Sequence, residues 1–208
     1  MTTPVLLLHG LWMGRPAMLY LRRRLRDAGF APLIHGYPTI VGDPQRVIDE
    51  LIGRWRGLAP GPVHAIGHSL GGLTLLAALA QDADLPAGRI LCLGSPLAGS
   101  SVARRLARSG WTRWAVGQAA ARLDQPARIP ADREVAMIAG DRAVGLGQWL
   151  GRLPQPHDGT VAVAETRVPG LQAHRVIHAS HTGLVFSAEV ADACERFLKN
   201  GHFAQGDR

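Results

Sequence analysis

The sequence predicts an α/β fold: a mostly parallel central sheet of about six strands, with helices on both faces and a small helical cap-like insertion. Short apolar runs alternate with longer amphipathic segments along most of the chain, as in strand-helix-strand units. The first run extends from Pro4 to His9 and is apolar at every position before the histidine. Such a run is typical of a strand that is buried on both faces, and strands of this kind form parallel sheets.

Length and composition fit a single globular domain over residues 1–208. Hydrophobic residues make up 47% of the chain and charged residues 19%. This is the ordinary balance of a globular domain, and a mass of 22.2 kDa is enough for a sizeable core. No apolar run approaches the roughly 18 residues that a membrane-spanning helix needs.

The N-terminus and the cysteines both favour a reducing compartment. The first residues show neither a basic segment nor a small-residue cleavage site, so we expect a cytoplasmic protein. Cys92 and Cys194 fall in a predicted strand and a predicted helix. We expect them to be buried thiols rather than a disulfide.

The net charge of +7 comes almost entirely from arginine, since Lys199 is the only lysine. A basic surface can favour anionic lipid, acyl-CoA or nucleic acid. The arginines are scattered, however, and no nucleic-acid-binding motif accompanies them. We therefore expect no nucleic-acid partner, while contact with a membrane surface stays open.

Five further apolar runs predict the remaining strands, and helices are predicted between them. The strands are expected at residues 30–35, 63–66, 89–93, 134–139 and 173–179. The helices are expected at residues 17–28, 44–57, 73–80 and 184–198. Asp43 followed by Pro44 is typical of a helix start, because aspartate caps the first turn and proline suits its first position.

Residues 97–130 depart from this alternation and predict two helices, at 100–109 and 111–123, interrupted by Gly110. The second helix carries two tryptophans that lie close to arginines of both helices. We interpret the segment as a candidate cap or lid over the sheet. Two ordinary helices that cover the sheet are an equally good interpretation.

The stretch around Ser69 predicts a short strand, a sharp turn and a helix. The run before it is apolar, and the segment after it is rich in leucine and alanine. Between them lies Gly67-His68-Ser69-Leu70-Gly71, a Gly-x-Ser-x-Gly sequence. Glycines at these positions allow the close packing and strained backbone of such a turn. The Ser69 hydroxyl is then presented at the end of a strand, and the Leu70 amide is placed to stabilise an oxyanion.

A serine hydroxyl needs a base and an orienting acid before it can act as a nucleophile at neutral pH. In a parallel sheet these partners come from loops at the carboxyl ends of strands. His181 fits best among nine histidines because it follows the last strand and precedes the last helix, whereas His178 is predicted inside that strand. Two aspartates keep the order serine, aspartate, histidine. They are Asp141, directly after a strand, and Asp158, in a His-Asp-Gly-Thr-Val sequence.

Four motifs in this order resemble those of a known group of enzymes. They are Leu-Leu-Leu-His9-Gly10-Leu11, Gly67-His68-Ser69-Leu70-Gly71-Gly72, Asp158-Gly159-Thr160-Val161 and Ser180-His181-Thr182-Gly183-Leu184. Together they resemble the α/β-hydrolase superfamily, specifically its small bacterial lipase and esterase branch. The resemblance extends over nearly the whole chain and implies the α/β-hydrolase fold.

The resemblance also implies roles for individual residues. Ser69 would be the nucleophile, His181 the base and Asp158 the acid, with Asp141 as the alternative acid. The backbone amides of Leu11 and Leu70 would form the oxyanion hole. The calcium-site carboxylates and the disulfide of larger lipases have no clear counterpart here, so we expect no metal and no cofactor.

The implied activity is hydrolysis of a carboxylic ester through an acyl-enzyme on Ser69. The substrate would be a small-molecule ester with an apolar acyl group. A thioesterase or an acyltransferase with the same triad is the alternative, because the motifs do not specify the acyl acceptor. A non-catalytic binding protein of the same fold is less favoured, because such proteins usually lose a triad member. The chain is short for a lipase, so any lid must come from residues 97–130.

Overall fold

The computed structural model describes residues 2–108, 123–144 and 153–203, which contain a six-stranded sheet in the order β2-β1-β3-β4-β5-β6. The strands are β1 Pro4–Leu8, β2 Ala31–His35, β3 His64–His68, β4 Ile90–Leu93, β5 Val135–Gly140 and β6 Ala173–Ile177. All five pairings between neighbouring strands are parallel. The predicted fold class is therefore confirmed, and the described sheet is wholly parallel.

Helices connect the strands, as the alternation predicts. They are α1 Leu19–Asp27, α2 Pro44–Arg56, α3 Leu70–Gln81, α4 Ser101–Arg108 and α5 Ala188–Asn200, with short 3-10 turns at Arg15–Met18, Val163–Thr166 and Thr182–Val185. The Asp43 side chain accepts a hydrogen bond from the Gln45 amide at the start of α2, which confirms the predicted cap.

The prediction of one continuous helix over residues 184–198 is wrong. A 3-10 turn at Thr182–Val185 comes first, and the regular helix α5 begins only after Ser187. The Ser187 side chain accepts a hydrogen bond from the Val190 amide and so caps a new helix. At the other end Gly201 adopts the left-handed conformation with φ of 80° and terminates α5.

Each face of the sheet carries its own hydrophobic core, because the β1 side chains alternate between the two faces. Leu6 and Leu8 pack with α2, α3 and α4, whereas Val5 and Leu7 pack with α1 and α5. Cys92 and Cys194 lie in these cores as free, buried thiols, which confirms the prediction for them. Burial raises the pKa of the Cys92 thiol to about 12.

Residues 97–130 are described in part. Helix α4 fits the first predicted helix, while most of the second, at 111–123, lies outside the described residues. The two flanks of that gap are bonded together, because the Ser100 amide donates to the Leu123 carbonyl. No helix among the described residues is both long and apolar enough to cross a membrane.

Candidate active site

Ser69 sits in a strained turn between β3 and α3. Its backbone adopts φ of 54° and ψ of −118°, a left-handed region that residues with a side chain seldom occupy. The Ser69 amide donates to the carbonyl of Leu93 on the neighbouring strand β4, which anchors the turn at the carboxyl edge of the sheet. This geometry presents the Ser69 side chain at the sheet edge, as the sequence pattern predicts.

Two glycines make this turn sterically feasible. A Cβ atom added to Gly67 would collide with the backbone of Gly71 and Gly72 across the turn. A Cβ atom added to Gly71 would lie 2.7 Å from the carbonyl oxygen of Leu8 in β1. Both positions therefore require glycine because backbone segments pass too close for any side chain.

A cavity of about 250 Å³ adjoins Ser69. Ser69, His68 and His181 lie on its wall, and most of the remaining wall is apolar. The apolar lining residues are Leu11, Trp12, Met13, Pro96, Val102, Ala103, Leu106, Leu123 and Val161. The predicted nucleophile and base thus share a cavity whose wall favours apolar groups.

His181 and Asp158 form a buried pair. The distance from His181 Nδ1 to Asp158 Oδ2 is 2.7 Å, and the exposed fractions of the two side chains are 12% and 1%. Nδ1 must donate in this bond, because a carboxylate oxygen accepts. Neutral His181 then has an unprotonated Nε2 that can accept a proton. Among the described residues there is no hydrogen bond between Ser69 Oγ and His181, and such bonds often tighten only when substrate binds.

The Asp158 carboxylate is held in place by its own loop. Its Oδ1 accepts hydrogen bonds from the amides of Thr160, at 2.9 Å, and Val161, at 2.7 Å. With Oδ2 bonded to His181, both oxygens accept from fixed donors. This set of bonds suits an ionised carboxylate, which has acceptors only.

The alternative acid, Asp141, is bonded to a different histidine. It follows β5 as predicted, but its Oδ1 lies 2.8 Å from Nδ1 of His178. The side chains of His178 and Asp141 are 77% and 35% exposed. The prediction that His178 lies inside the last strand is wrong, since β6 ends at Ile177. The Ala179 amide instead donates to the Ile177 carbonyl, and this tight turn leaves His178 on the surface.

Of the two residues whose amides are predicted to form an oxyanion hole, Leu11 lines the cavity and Leu70 directly follows Ser69. Leu70 is the first residue of α3, so its amide has no acceptor within the helix. Leu11 lies in the loop after β1, and this loop is fixed by a hydrogen bond from the Tyr37 hydroxyl to the His9 carbonyl at 2.7 Å. The next residue, Trp12, has a positive φ of 58°, a second strained position next to the cavity.

Burial favours the neutral form of three histidines at the carboxyl ends of β1, β2 and β3. Burial, together with the neighbouring His181, lowers the pKa of His68 to about 3. Burial also lowers the pKa of His9 and of His35. The described residues include no cluster of three or more histidine, cysteine or acidic side chains that could hold a metal ion.

Comparison with known proteins identifies the fold. No family model and no curated protein matches the sequence. The structure resembles lipase BlEst2 of Bacillus licheniformis with a TM-score of 0.77 and 16% identity, over 97% of this chain and 92% of that one. It also resembles MGS-MChE2, an α/β-hydrolase enzyme from the sediment metagenome of the Mar Chica lagoon in Morocco, with a TM-score of 0.65 and 17% identity over 96% and 91% of the two chains. The thioesterase domain of NocB, from the nocardicin cluster, gives a TM-score of 0.62 and 19% identity over 96% and 95%. The chain therefore has the α/β-hydrolase fold, which confirms the fold implied by the four motifs.

Sequence reasoning missed three features of the site. These are the strained backbone of Trp12, the bond from Tyr37 to the loop after β1, and a bond between His68 and the main chain of His181. The two hydrogen bonds join residues far apart in the sequence, so no local pattern could have indicated them. For the bond between His68 and His181, the sequence shows only that a histidine precedes Ser69.

Proposed function

We propose that the protein is a serine hydrolase that cleaves carboxylic esters through an acyl-enzyme on Ser69. The observation that carries this proposal is a single cavity bordered by Ser69 in its strained turn and by His181, whose Nδ1 is bonded to the buried Asp158. These are the parts that acyl transfer needs: a nucleophile, a base with a defined tautomer and an orienting acid.

In the proposed mechanism Nε2 of His181 removes the proton of the Ser69 hydroxyl as Oγ attacks the ester carbonyl carbon. Asp158 keeps the proton of His181 on Nδ1 and stabilises the imidazolium that forms. The imidazolium then protonates the leaving alcohol, and the acyl group stays on Ser69. Water attacks the acyl-enzyme by the reverse path, with His181 again as the base.

The negative oxygen of the tetrahedral intermediate is assigned to the amides of Leu11 and Leu70. Each such donor contributes about 3 kcal/mol to the transition state in comparable sites. The helix that begins at Leu70 directs the positive end of its dipole towards the same point. Both effects act on the charge that develops during the reaction, so they raise kcat rather than substrate binding.

The apolar wall of the cavity supports an ester with an apolar acyl group. The resemblance to a thioesterase domain favours thioesters as the second candidate substrate class.

Labelling with a fluorophosphonate probe tests the proposed nucleophile. We expect one covalent adduct on Ser69 in the folded wild-type protein, and none in Ser69→Ala. The matched control is Ser187→Ala, which removes a hydroxyl at the start of α5 instead and should label like wild type. Absence of labelling at Ser69 in the wild type would exclude both ester and thioester hydrolysis by this route.

A substrate panel then separates the two hydrolase classes. It combines p-nitrophenyl esters of two to sixteen carbons with acyl-CoA thioesters of matched length. Higher kcat/KM for the esters than for the thioesters of the same length supports the proposal. A preference for acyl-CoA of more than about tenfold would assign the protein to the thioesterases.

Residues 97–130 are proposed as the cap over the acyl group. Val102, Ala103 and Leu106 of α4 line the cavity from one flank of this segment, and Leu123 lines it from the other. Deletion of residues 100–123 should lower activity on long-chain esters. Full activity on these esters after the deletion would remove the cap from the proposal.

A further inference from the structure

His68 is a buried histidine at the site that the proposed mechanism does not use. It is the last residue of β3 and immediately precedes Ser69, and 1% of its surface is exposed. Its ring centroid is 4.7 Å from that of His181. A polar side chain in this position needs a hydrogen-bond partner, because an unpaired buried donor is costly.

The partner is the main chain of His181. His68 Nε2 lies 2.9 Å from the His181 carbonyl oxygen. A carbonyl oxygen can only accept, so Nε2 carries the proton and Nδ1 does not. No described residue bonds to His68 Nδ1, and a Cβ atom added to Gly10 would lie 2.9 Å from it. The neutral ring therefore makes one polar contact with the described residues, and that contact is to His181.

His181 has four polar atoms, and the contact with His68 is one of three hydrogen bonds that hold it. Its amide donates to the Asp158 carbonyl at 2.8 Å, and its Nδ1 donates to the Asp158 carboxylate at 2.7 Å. Its carbonyl accepts from His68. Nε2 is the one remaining polar atom, and among the described residues it has no hydrogen-bond partner. Three of the four polar atoms are thus held by hydrogen bonds, and Nε2 is available to accept a proton.

We propose that His68 is a positioning residue that holds the main chain of His181 relative to Ser69 through its Nε2–H donor. The proposal rests on the proposed function. Ser69 is covalently next to His68, and the base is one hydrogen bond away, so the link between nucleophile and base is short. Asp158 orients the imidazole ring of His181, and His68 fixes the backbone from which that ring extends.

The charges around His68 fit this role. The titratable groups that face it are His181, Asp158 and His9, and burial keeps the His68 ring neutral. A cation at His68 would repel the imidazolium that forms on His181 during the reaction. A neutral donor holds the His181 backbone without opposing that charge.

Two substitutions at His68 distinguish the effect of its N–H donor from the effect of the size and shape of its ring. Gln in His68→Gln places an amide N–H close to the position of Nε2, whereas Phe in His68→Phe keeps the ring shape without a donor. We expect His68→Phe to lower kcat by about 100-fold with KM within about twofold, because a misplaced base impairs the chemical step. His68→Gln should restore kcat to within about fivefold of wild type. The control His178→Gln removes an exposed histidine at the same sheet edge and should leave both constants unchanged.

A measurement without substrate tests the same proposal. Nitrogen-15 NMR of the histidine rings should show His68 with its proton on Nε2 at pH 7. The Nδ1 proton of His181 should give a downfield resonance in wild type and His68→Gln, and a broadened or shifted one in His68→Phe. His68→Met offers a flexible apolar replacement if the Phe variant does not fold.

Several outcomes would overturn the proposal. They are a kcat for His68→Phe equal to that of wild type, an equal loss in the Gln and Phe variants, or a proton on Nδ1 of His68. Absence of ester turnover and of probe labelling in wild type would instead refute the proposed function. In that case the NMR result alone decides whether His68 positions His181.

Discussion

Two His–Asp pairs at the same edge of the sheet have nearly equal bond lengths and very different surroundings. His181 Nδ1 is 2.7 Å from Asp158, and His178 Nδ1 is 2.8 Å from Asp141. The histidine of the first pair is 12% exposed and that of the second is 77% exposed. Distance alone does not distinguish the pairs, whereas burial and the neighbouring donors do.

Surroundings matter because water competes with an exposed pair. A solvent-exposed ion pair contributes about 0–1 kcal/mol, since solvent screens the charges and both side chains lose freedom. The Asp158 carboxylate is shielded and also accepts two backbone N–H bonds. Loss of one partner there leaves polar groups buried without bonds, which costs several kcal/mol. We therefore expect the same chemical change to have unequal effects at the two pairs.

The largest expected difference is in catalysis. Asp158→Asn should lower kcat by about 10⁴-fold on a p-nitrophenyl ester, because an asparagine no longer holds the required tautomer of His181. Asp141→Asn should leave kcat within about twofold of wild type. Circular dichroism would verify that both variants are folded. If Asp141→Asn abolished turnover while Asp158→Asn did not, the proposed acid would be wrong.

The second difference is in stability. Asp158→Ala removes the acceptor of Thr160, Val161 and His181, and should lower the free energy of unfolding by about 3 kcal/mol or more. Asp141→Ala should lower it by less than about 1 kcal/mol. Urea denaturation monitored by tryptophan fluorescence measures both values. Equal losses at the two sites would contradict the contrast between buried and exposed pairs.

A third test measures how the free energy of unfolding depends on pH through His68, which lies next to the buried pair. Burial lowers the pKa of His68 from its ordinary 6.5 to about 3. Between these values the unfolded chain binds a proton that the folded chain does not, so stability falls as pH drops through this window. One such group contributes up to about 1.4 kcal/mol per pH unit. Urea midpoints between pH 6 and pH 4 should fall less steeply in His68→Gln than in wild type.

The control for this pH dependence is Val176→Ala, an exposed aliphatic change on the edge strand β6 that adds or removes no titratable group. It should keep the wild-type slope. Equal slopes for wild type and His68→Gln would mean that His68 is protonated to the same extent in the folded and unfolded chains.

The smallest expected effect is the coupling within the exposed pair. A double-mutant cycle with Asp141→Asn and His178→Ala should give a coupling of about 0–1 kcal/mol in the free energy of unfolding. A coupling above about 2 kcal/mol would show that exposure does not weaken the pair.

Much of the fold was predictable because its signals are local. The apolar runs, the cap at Asp43 and the glycines around Ser69 each reflect neighbouring residues. The errors arose where local patterns were ambiguous. Residues 178 and 179 resemble a continuation of the last strand, yet a tight turn ends that strand at Ile177. Residues 184–198 resemble one helix, yet a new helix begins after the cap at Ser187.

The candidate site was predictable in its members but not in its contacts. Ser69, His181 and both aspartates could be named from motif order, and the resemblance favoured Asp158. Both aspartates lie after β5 and before His181 along the chain, so motif order alone does not decide which one meets it. The structure pairs His181 with Asp158 and gives Asp141 to His178.

The sequence by itself determined the strand-helix alternation, the strained turn at Ser69 and the set of candidate residues. Tertiary structure alone decided which aspartate is buried against His181 and that His68 bonds to the His181 carbonyl. The reason is physical. Backbone propensity and side-chain periodicity act over a few residues, whereas desolvation and hydrogen bonding between loops depend on how the whole sheet brings distant segments together.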